Sequence, residues 1–178
     1  MKTVETISTF IVKKSSFKGR KIIFFLASFI ATGCFVGKIK YAPGTFGSLF
    51  AIIFCPYFIL FPIVWQIVIL GLLLTIGCLS THIYLIKIND KNKDPKEVVI
   101  DEIIAVIFTS WLCKVSVPAN FMNWEHFLSI FVLFRFFDVL KPYPISWVDK
   151  NIHGAKGIIL DDMLAGIASW LVFVVIYL

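Results

Sequence analysis

One stretch of the chain runs for 22 residues without an acidic or strongly basic side chain: residues 65–86, WQIVILGLLLTIGCLSTHIYLI. A helix rises about 1.5 Å per residue, so about 20 apolar residues cross the roughly 30 Å hydrocarbon core of a bilayer. The stretch is too long and too continuously apolar for a strand. It therefore predicts a membrane-spanning α-helix.

The composition of the whole chain extends this prediction. Of its 178 residues, 59% are hydrophobic and 16% are charged, and the mean hydropathy is +0.91. A soluble domain has roughly 45–50% apolar and about 25% charged residues. We therefore expect an integral membrane protein with one helical, membrane-embedded domain over residues 22–178, preceded by a basic N-terminal extension over residues 1–21.

The positive charge is concentrated near the N-terminus. Eight Lys and Arg residues up to Lys40 stand against a single acid, Glu5, in a chain of net charge +6. In a chain this apolar, the expected partners of that charge are anionic lipid headgroups and not nucleic acid. The four cysteines are widely spaced within apolar runs, which predicts reduced packing residues.

Five further apolar segments accompany residues 65–86, and each is long enough to predict a helix. These segments are 22–36, 49–63, 98–113, 126–140 and 158–178. The predicted fold class is all-α: a compact multi-helix membrane bundle of about six helices, roughly four to five of them spanning. Pro62 separates two segments and predicts a tight helical hairpin there.

Lysine distribution predicts the orientation. The Lys-rich stretches are 1–21, 37–48, 87–97 and 141–157. The positive-inside rule places them in the cytoplasm. Segment 22–36 has basic flanks on both sides, so we expect an interfacial or re-entrant helix there. The other five segments then alternate in direction, which predicts a multi-pass protein of the cytoplasmic (inner) membrane.

Five carboxylates lie inside or beside apolar runs, where an ionised carboxylate is costly unless it is paired or bound to metal. They are Asp101, Glu102, Asp138, Asp161 and Asp162. The predicted topology puts all five near the cytoplasmic face, where acids from three helices would converge on one hard cation. Oxygen ligands without nearby His or Cys suit Mg²⁺. The simpler alternative is a set of helix N-terminal acids that stabilise helix dipoles.

A short glycine motif precedes the helix expected to begin near Leu49. Gly44, Thr45, Gly47 and Ser48 would offer free backbone amides to an anion at the N-terminus of that helix. The competing interpretation is an ordinary Pro-Gly turn in which Ser48 acts as the N-cap.

Cationic residues recur beside the acids. Arg135, Asp138 and Lys141 follow at three-residue spacing on one helix face. They predict either a local ion network or positive charge for binding a phosphate. His153 would serve as a general acid, a phosphate donor or only a loop hydrogen bonder. His82 and His126 have no acidic neighbours and are interpreted as structural or interfacial.

Four motifs, taken together and in order, resemble the phosphatidylglycerophosphatase A family. They are APGTFGS (42–48), VIDE (99–102), FRFFDVLKPYPI (134–145) and NIHGAKGIILDDMLAG (151–166). The resemblance implies an all-helical bundle and Mg²⁺-dependent removal of the terminal phosphate from phosphatidylglycerophosphate, giving phosphatidylglycerol. Ala105 departs from the pattern, because many members have a glycine there.

The resulting hypothesis is metal-assisted hydrolysis of a phospholipid phosphomonoester in the cytoplasmic leaflet. The acids Asp101, Asp161 and Asp162 are expected to hold Mg²⁺. Glu102 or Asp138 would orient or deprotonate the attacking water, or a carboxylate would attack directly. The main rival function is a cation transporter or channel with intramembrane carboxylates. The Asp-Gly-x2-Ala-Arg pattern of alcohol phosphatidyltransferases is not found, and the oligomeric state is left open.

Overall fold

The computed structural model describes residues 2–15, 17–88, 95–117 and 122–178, and in these ranges all regular structure is helical. The all-α prediction is therefore confirmed. The α-helices are α1 (Lys2–Lys14), α2 (Phe17–Ala31), α3 (Pro43–Phe58), α4 (Ile63–Ile88), α5 (Ile100–Ser116), α6 (Trp124–Leu140), α7 (Ile145–Asn151) and α8 (Ala155–Tyr177), with a 3₁₀ turn at Val36–Lys38. Two of them, α1 and α7, add to the six predicted.

Within the described ranges, two helices are long and apolar enough to cross a membrane: α4, with 26 residues, and α8, with 23. Helix α3 is apolar but has only 16 residues. The span expected at residues 65–86 therefore lies within a helix of sufficient length, whereas four to five spans are not confirmed.

Helix α8 is the centre of the packing, where it lies against α5, α6 and α7. Small residues let α5 and α8 approach each other closely. Ala105 and Ala165 are fully buried, and a Cβ added to Gly166 would lie 2.5 Å from Thr109 Oγ1 and 3.3 Å from the Ala105 carbonyl oxygen. The close approach holds the acidic ends of the two helices beside each other.

The hairpin predicted at Pro62 is present, because α3 ends at Phe58 and α4 begins at Ile63. Two of its backbone carbonyls accept hydrogen bonds from a fully buried side chain. Gln66 Nε2 donates to the carbonyls of Ile59 at 3.0 Å and Phe61 at 2.7 Å. These bonds satisfy backbone acceptors that the end of a helix leaves without intrahelical donors.

Candidate active site

Carboxylates from three helices meet at the end of the bundle where α5 and α8 begin and α6 ends. They line a cavity of about 210 Å³. Its lining residues are Ala42, Pro43, Gly44, Lys96, Val98, Asp101, Glu102, Arg135, Asp138, Lys141 and Asp162. The walls are therefore built mainly from charged side chains and from the first turn of α3, which suits a charged ligand.

Three of these acids form a compact group. Asp101, Glu102 and Asp162 each offer one oxygen, and the three oxygens lie within 4.8 Å of one another. Asp101 and Asp162 are only 5% and 4% exposed. Repulsion between buried carboxylates at this distance destabilises the group unless protons or a cation balance the charge.

The free acceptor atoms of the group fit a cation. Among the described residues, Glu102 Oε2 and Asp162 Oδ2 are buried and have no hydrogen-bond partner. Buried polar atoms in proteins nearly always have a partner, so these two oxygens are suited to a ligand. Three carboxylates with no histidine or cysteine among them form an oxygen-only donor set, which fits Mg²⁺.

Asp161 departs from the predicted metal set. Its Oδ2 lies 2.5 Å from Lys141 Nζ, and it is not one of the three clustered acids, whereas Glu102 is. Asp161 and Asp162 were also expected to open the last helix, but α8 begins six residues earlier at Ala155. They lie about two turns into the helix, so neither acts as an N-terminal cap.

Lys141 links two acidic side chains at the edge of the cavity. It is the C-cap of α6 and has a left-handed backbone with φ +41°. Its Nζ donates to Asp161 and, at 2.7 Å, to Asp149. Burial lowers the pKa of Lys141, but the hydrogen bonds with both carboxylates outweigh burial and raise that pKa above its usual value. The ammonium group therefore stays charged at neutral pH.

Arg135 and Asp138 form the ion pair that their spacing predicts. Arg135 Nη1 lies 2.5 Å from Asp138 Oδ2, one turn along α6. Both side chains are mostly buried and both line the cavity. The pair brings a positive guanidinium next to the acidic group, so the local ion network is confirmed and phosphate binding by Arg135 stays a prediction.

The glycine motif does not form the loop predicted before Leu49. Helix α3 begins at Pro43, with Ala42 as its N-cap at φ +47°. Pro43 is suited to the first helical position, since its fixed φ is helical and its missing N–H has no partner there. Ser48 lies in the second turn, where its Oγ donates to the Gly44 carbonyl at 2.8 Å. The N-cap role expected for Ser48 is therefore wrong.

The structure brings only part of the predicted phosphate-binding set to the cavity. Gly44 lines it, and a Cβ on Gly44 would collide with Glu102 Oε1. Thr45, Gly47 and Ser48 continue α3 and are not among the lining residues, and His153 is exposed between α7 and α8, also outside the lining. His126 is structural, since it forms a capping box with Asn123 at the start of α6.

Lys96, which is not among the predicted site residues, also lines the cavity, five residues before Asp101. In the sequence it belongs to the Lys-rich stretch 87–97, which predicts orientation. The available signal was its position in the polar segment leading directly into the acidic start of α5.

Comparison with known proteins gives a consistent result. The family model described as phosphatidylglycerophosphatase A matches residues 29–177. A protein of that name from Escherichia coli (strain K12) is 35% identical over 141 residues, covering 79% of this chain and 77% of the relative. Its counterpart in Haemophilus influenzae is 33% identical over 147 residues, covering 80% and 83%.

A third relative has a different name. The putative phosphatidylinositol-3-phosphatase of Bacteroides thetaiotaomicron is 33% identical over 157 residues, covering 85% of this chain and 93% of the relative. No solved structure matches the chain. The family match takes in the glycine motif, all five acids and the three cavity cations, Lys96, Arg135 and Lys141. This chain belongs to the phosphatidylglycerophosphatase A family.

Proposed function

We propose that this protein hydrolyses the terminal phosphomonoester of phosphatidylglycerophosphate to give phosphatidylglycerol in phospholipid biosynthesis. The observation that carries the proposal is the group of three acids, Asp101, Glu102 and Asp162, in one charged cavity of a chain belonging to this family. A phosphomonoester and a metal ion together complement such a cavity, because each balances part of the charge of its walls.

The metal in this proposal is Mg²⁺, held by Asp101, Glu102 and Asp162. Bound there, Mg²⁺ would polarise the phosphoryl oxygens and neutralise charge that develops during transfer. The unpartnered oxygens of Glu102 and Asp162 support this assignment, as does the absence of softer ligands in the group. Asp161 is assigned a different role, that of holding Lys141 in place.

The cations of the site bind and orient the substrate phosphate. Arg135 presents a planar guanidinium that matches phosphate oxygens in a bidentate arrangement. Asp138 fixes Arg135 through their ion pair. Lys141 adds a second positive charge beside Asp161. Either Asp138 or Glu102 orients the attacking water and accepts its proton, or one of the carboxylates attacks the phosphorus directly.

We further propose that the protein is a multi-pass protein of the cytoplasmic membrane, with the cavity at the cytoplasmic face. The long apolar helices α4 and α8 support membrane insertion. The cavity opens at the end of the bundle that carries Lys96 and Lys141 and the Lys-rich connections around them. An anionic headgroup at the cytoplasmic leaflet would lie at that level.

The deciding experiment measures phosphate release from phosphatidylglycerophosphate by the purified protein in detergent. We expect release with Mg²⁺ and none after chelation, with activity restored when Mg²⁺ is added back. Phosphatidylinositol 3-phosphate serves as a second substrate, because one relative is named for it. Faster release from that lipid would overturn the substrate assignment, and full activity in chelator would overturn the metal assignment.

A further inference from the structure

The cavity carries three cations, and two of them are already paired. Arg135 is bonded to Asp138, and Lys141 is bonded to Asp149 and Asp161. Lys96, the third, forms no ion pair with any residue in the described part of the chain, and its side chain is exposed at the cavity. Its charge is therefore available to a ligand.

The backbone on the C-terminal side of Lys96 is held firmly. The amide of Val98 donates to the carbonyl of Pro95 at 2.8 Å, and the amide of Val99 donates to the carbonyl of Ala31 in α2 at 3.0 Å. These bonds tie the turn that carries Lys96 to the bundle just before α5 begins.

Glu97, the residue after Lys96, is held in place through contacts of both its side chain and its backbone. The hydroxyl of Tyr84 in α4 donates to the carboxylate of Glu97. The Glu97 carbonyl packs against Gly37, where a Cβ would not fit. Lys96 is thus an exposed cation on an ordered turn, so binding a ligand requires ordering of its side chain but not of its backbone.

The substrate supplies two anionic groups. Phosphatidylglycerophosphate carries a terminal phosphomonoester and, across a glycerol unit, the phosphodiester that joins it to the diacylglycerol. When the monoester lies at the acidic group with Arg135 and Lys141, the diester would lie one glycerol unit away, in the cavity that Lys96 also lines. We propose that Lys96 binds this phosphodiester and so selects phosphatidylglycerophosphate over lipids with a single phosphate; this inference rests on the proposed function.

The test compares phosphatidylglycerophosphate with phosphatidate of the same acyl chains, which has the monoester but no diester. We expect Lys96→Ala to reduce the preference in kcat/KM for phosphatidylglycerophosphate over phosphatidate about tenfold, the effect of losing one hydrogen bond to a charged group. If the wild-type enzyme hydrolyses phosphatidate too slowly to measure, phosphatidate is tested as a competitive inhibitor of phosphatidylglycerophosphate hydrolysis. Its inhibition constant then takes the place of kcat/KM for phosphatidate.

Two further variants separate recognition from general charge effects. Lys96→Arg keeps the positive charge and should retain most of the preference. Lys150→Ala removes an exposed lysine of α7 that does not line the cavity, and it should leave both substrates unaffected. If Lys96→Ala leaves the preference for phosphatidylglycerophosphate over phosphatidate unchanged, including the case of an equal loss of activity on both lipids, the proposal is overturned. A wild-type protein that releases no phosphate from phosphatidylglycerophosphate would instead refute the proposed function.

Discussion

At the scale of single residues, the two neighbouring acid pairs behave differently. Both Asp101 and Glu102 contribute to the acidic group, whereas only Asp162 of the second pair does so. Adjacent helical residues point about 100° apart, so the sequence predicts that such a pair diverges but not which members face a shared centre. In the structure the other member of the second pair, Asp161, contacts the ammonium group of Lys141, whose left-handed backbone follows α6.

This difference predicts unequal effects for the two aspartates of α8. Asp162→Asn removes one acid of the group, so kcat/KM should fall by at least about 100-fold, and the Mg²⁺ concentration for half-maximal activity should rise. Asp161→Asn should lower activity while leaving that Mg²⁺ concentration unchanged, because it removes a partner of Lys141. Phosphate release measured over a range of Mg²⁺ concentrations gives both the activity of each variant and its Mg²⁺ concentration for half-maximal activity.

The matched control for these variants is Glu125→Gln, which neutralises an exposed acid at the start of α6, outside the cavity lining. It should retain wild-type activity. Without metal, Asp162→Asn should unfold at a temperature no lower than wild type, since it removes repulsion within the acidic group. An identical Mg²⁺ requirement in the wild type and Asp162→Asn would contradict the ligand assignment.

Gly44 provides a steric prediction at the cavity wall. A Cβ there would overlap Glu102 Oε1, so Gly44→Ala should displace the carboxylate and lower kcat/KM for phosphatidylglycerophosphate. Gly71→Ala is the matched control, because a Cβ at Gly71 meets no atom within 4 Å and alanine favours the helix. Equal activity in the two variants would show that the close approach of α3 to Glu102 is not required.

At the scale of helices, the starts of α5 and α6 and the hairpin at Pro62 could be predicted, since each coincides with a sharp change in hydropathy. The starts of α3 and α8 could not. Each contains a glycine in its first turn, Gly44 in α3 and Gly157 in α8, and glycine disfavours a helix. Packing overrides that preference, because Gly157 fits against the Ile152 carbonyl where a Cβ would not.

The α5–α8 contact predicts a coupling between two positions. Gly166→Ala places a methyl group 2.5 Å from Thr109 Oγ1, so it should destabilise the protein by about 1–3 kcal/mol, a typical cost of overpacking. Thr109→Ala removes the obstructing hydroxyl. The double variant should therefore be more stable than the sum of the single effects predicts.

Thermal unfolding of the wild type, the two single variants and the double variant in the same detergent measures this coupling. Phosphate release by the same proteins reports whether the acidic ends of α5 and α8 shift. Additive changes in stability would mean that the contact between Gly166 and Thr109 does not limit the approach of the helices.

At the scale of the whole molecule, hydropathy indicates a membrane protein but does not count its spans. Helices α4 and α8 have the length of a span, while α2, α5 and α6 have 15, 17 and 17 residues. A bundle can surround shorter helices with longer ones, so apolar composition alone does not show which of them contact lipid. Charge distribution is the independent signal, and it gives an orientation that labelling can test.

That orientation predicts opposite accessibility for the cavity end of the bundle, where Lys150 of α7 lies next to Asp149, and for the hairpin end, where Leu60 follows α3. The helix has 16 residues and so extends about 24 Å from the cavity to the hairpin at Leu60. With exposed Cys34 replaced by serine, a cysteine at Lys150 should react with a membrane-impermeant maleimide in inverted inner-membrane vesicles. A cysteine at Leu60 should react in right-side-out vesicles. Both positions are exposed, so burial does not limit labelling. Labelling of both from the same side would refute the topology, and the reverse pattern would place the cavity on the outer face.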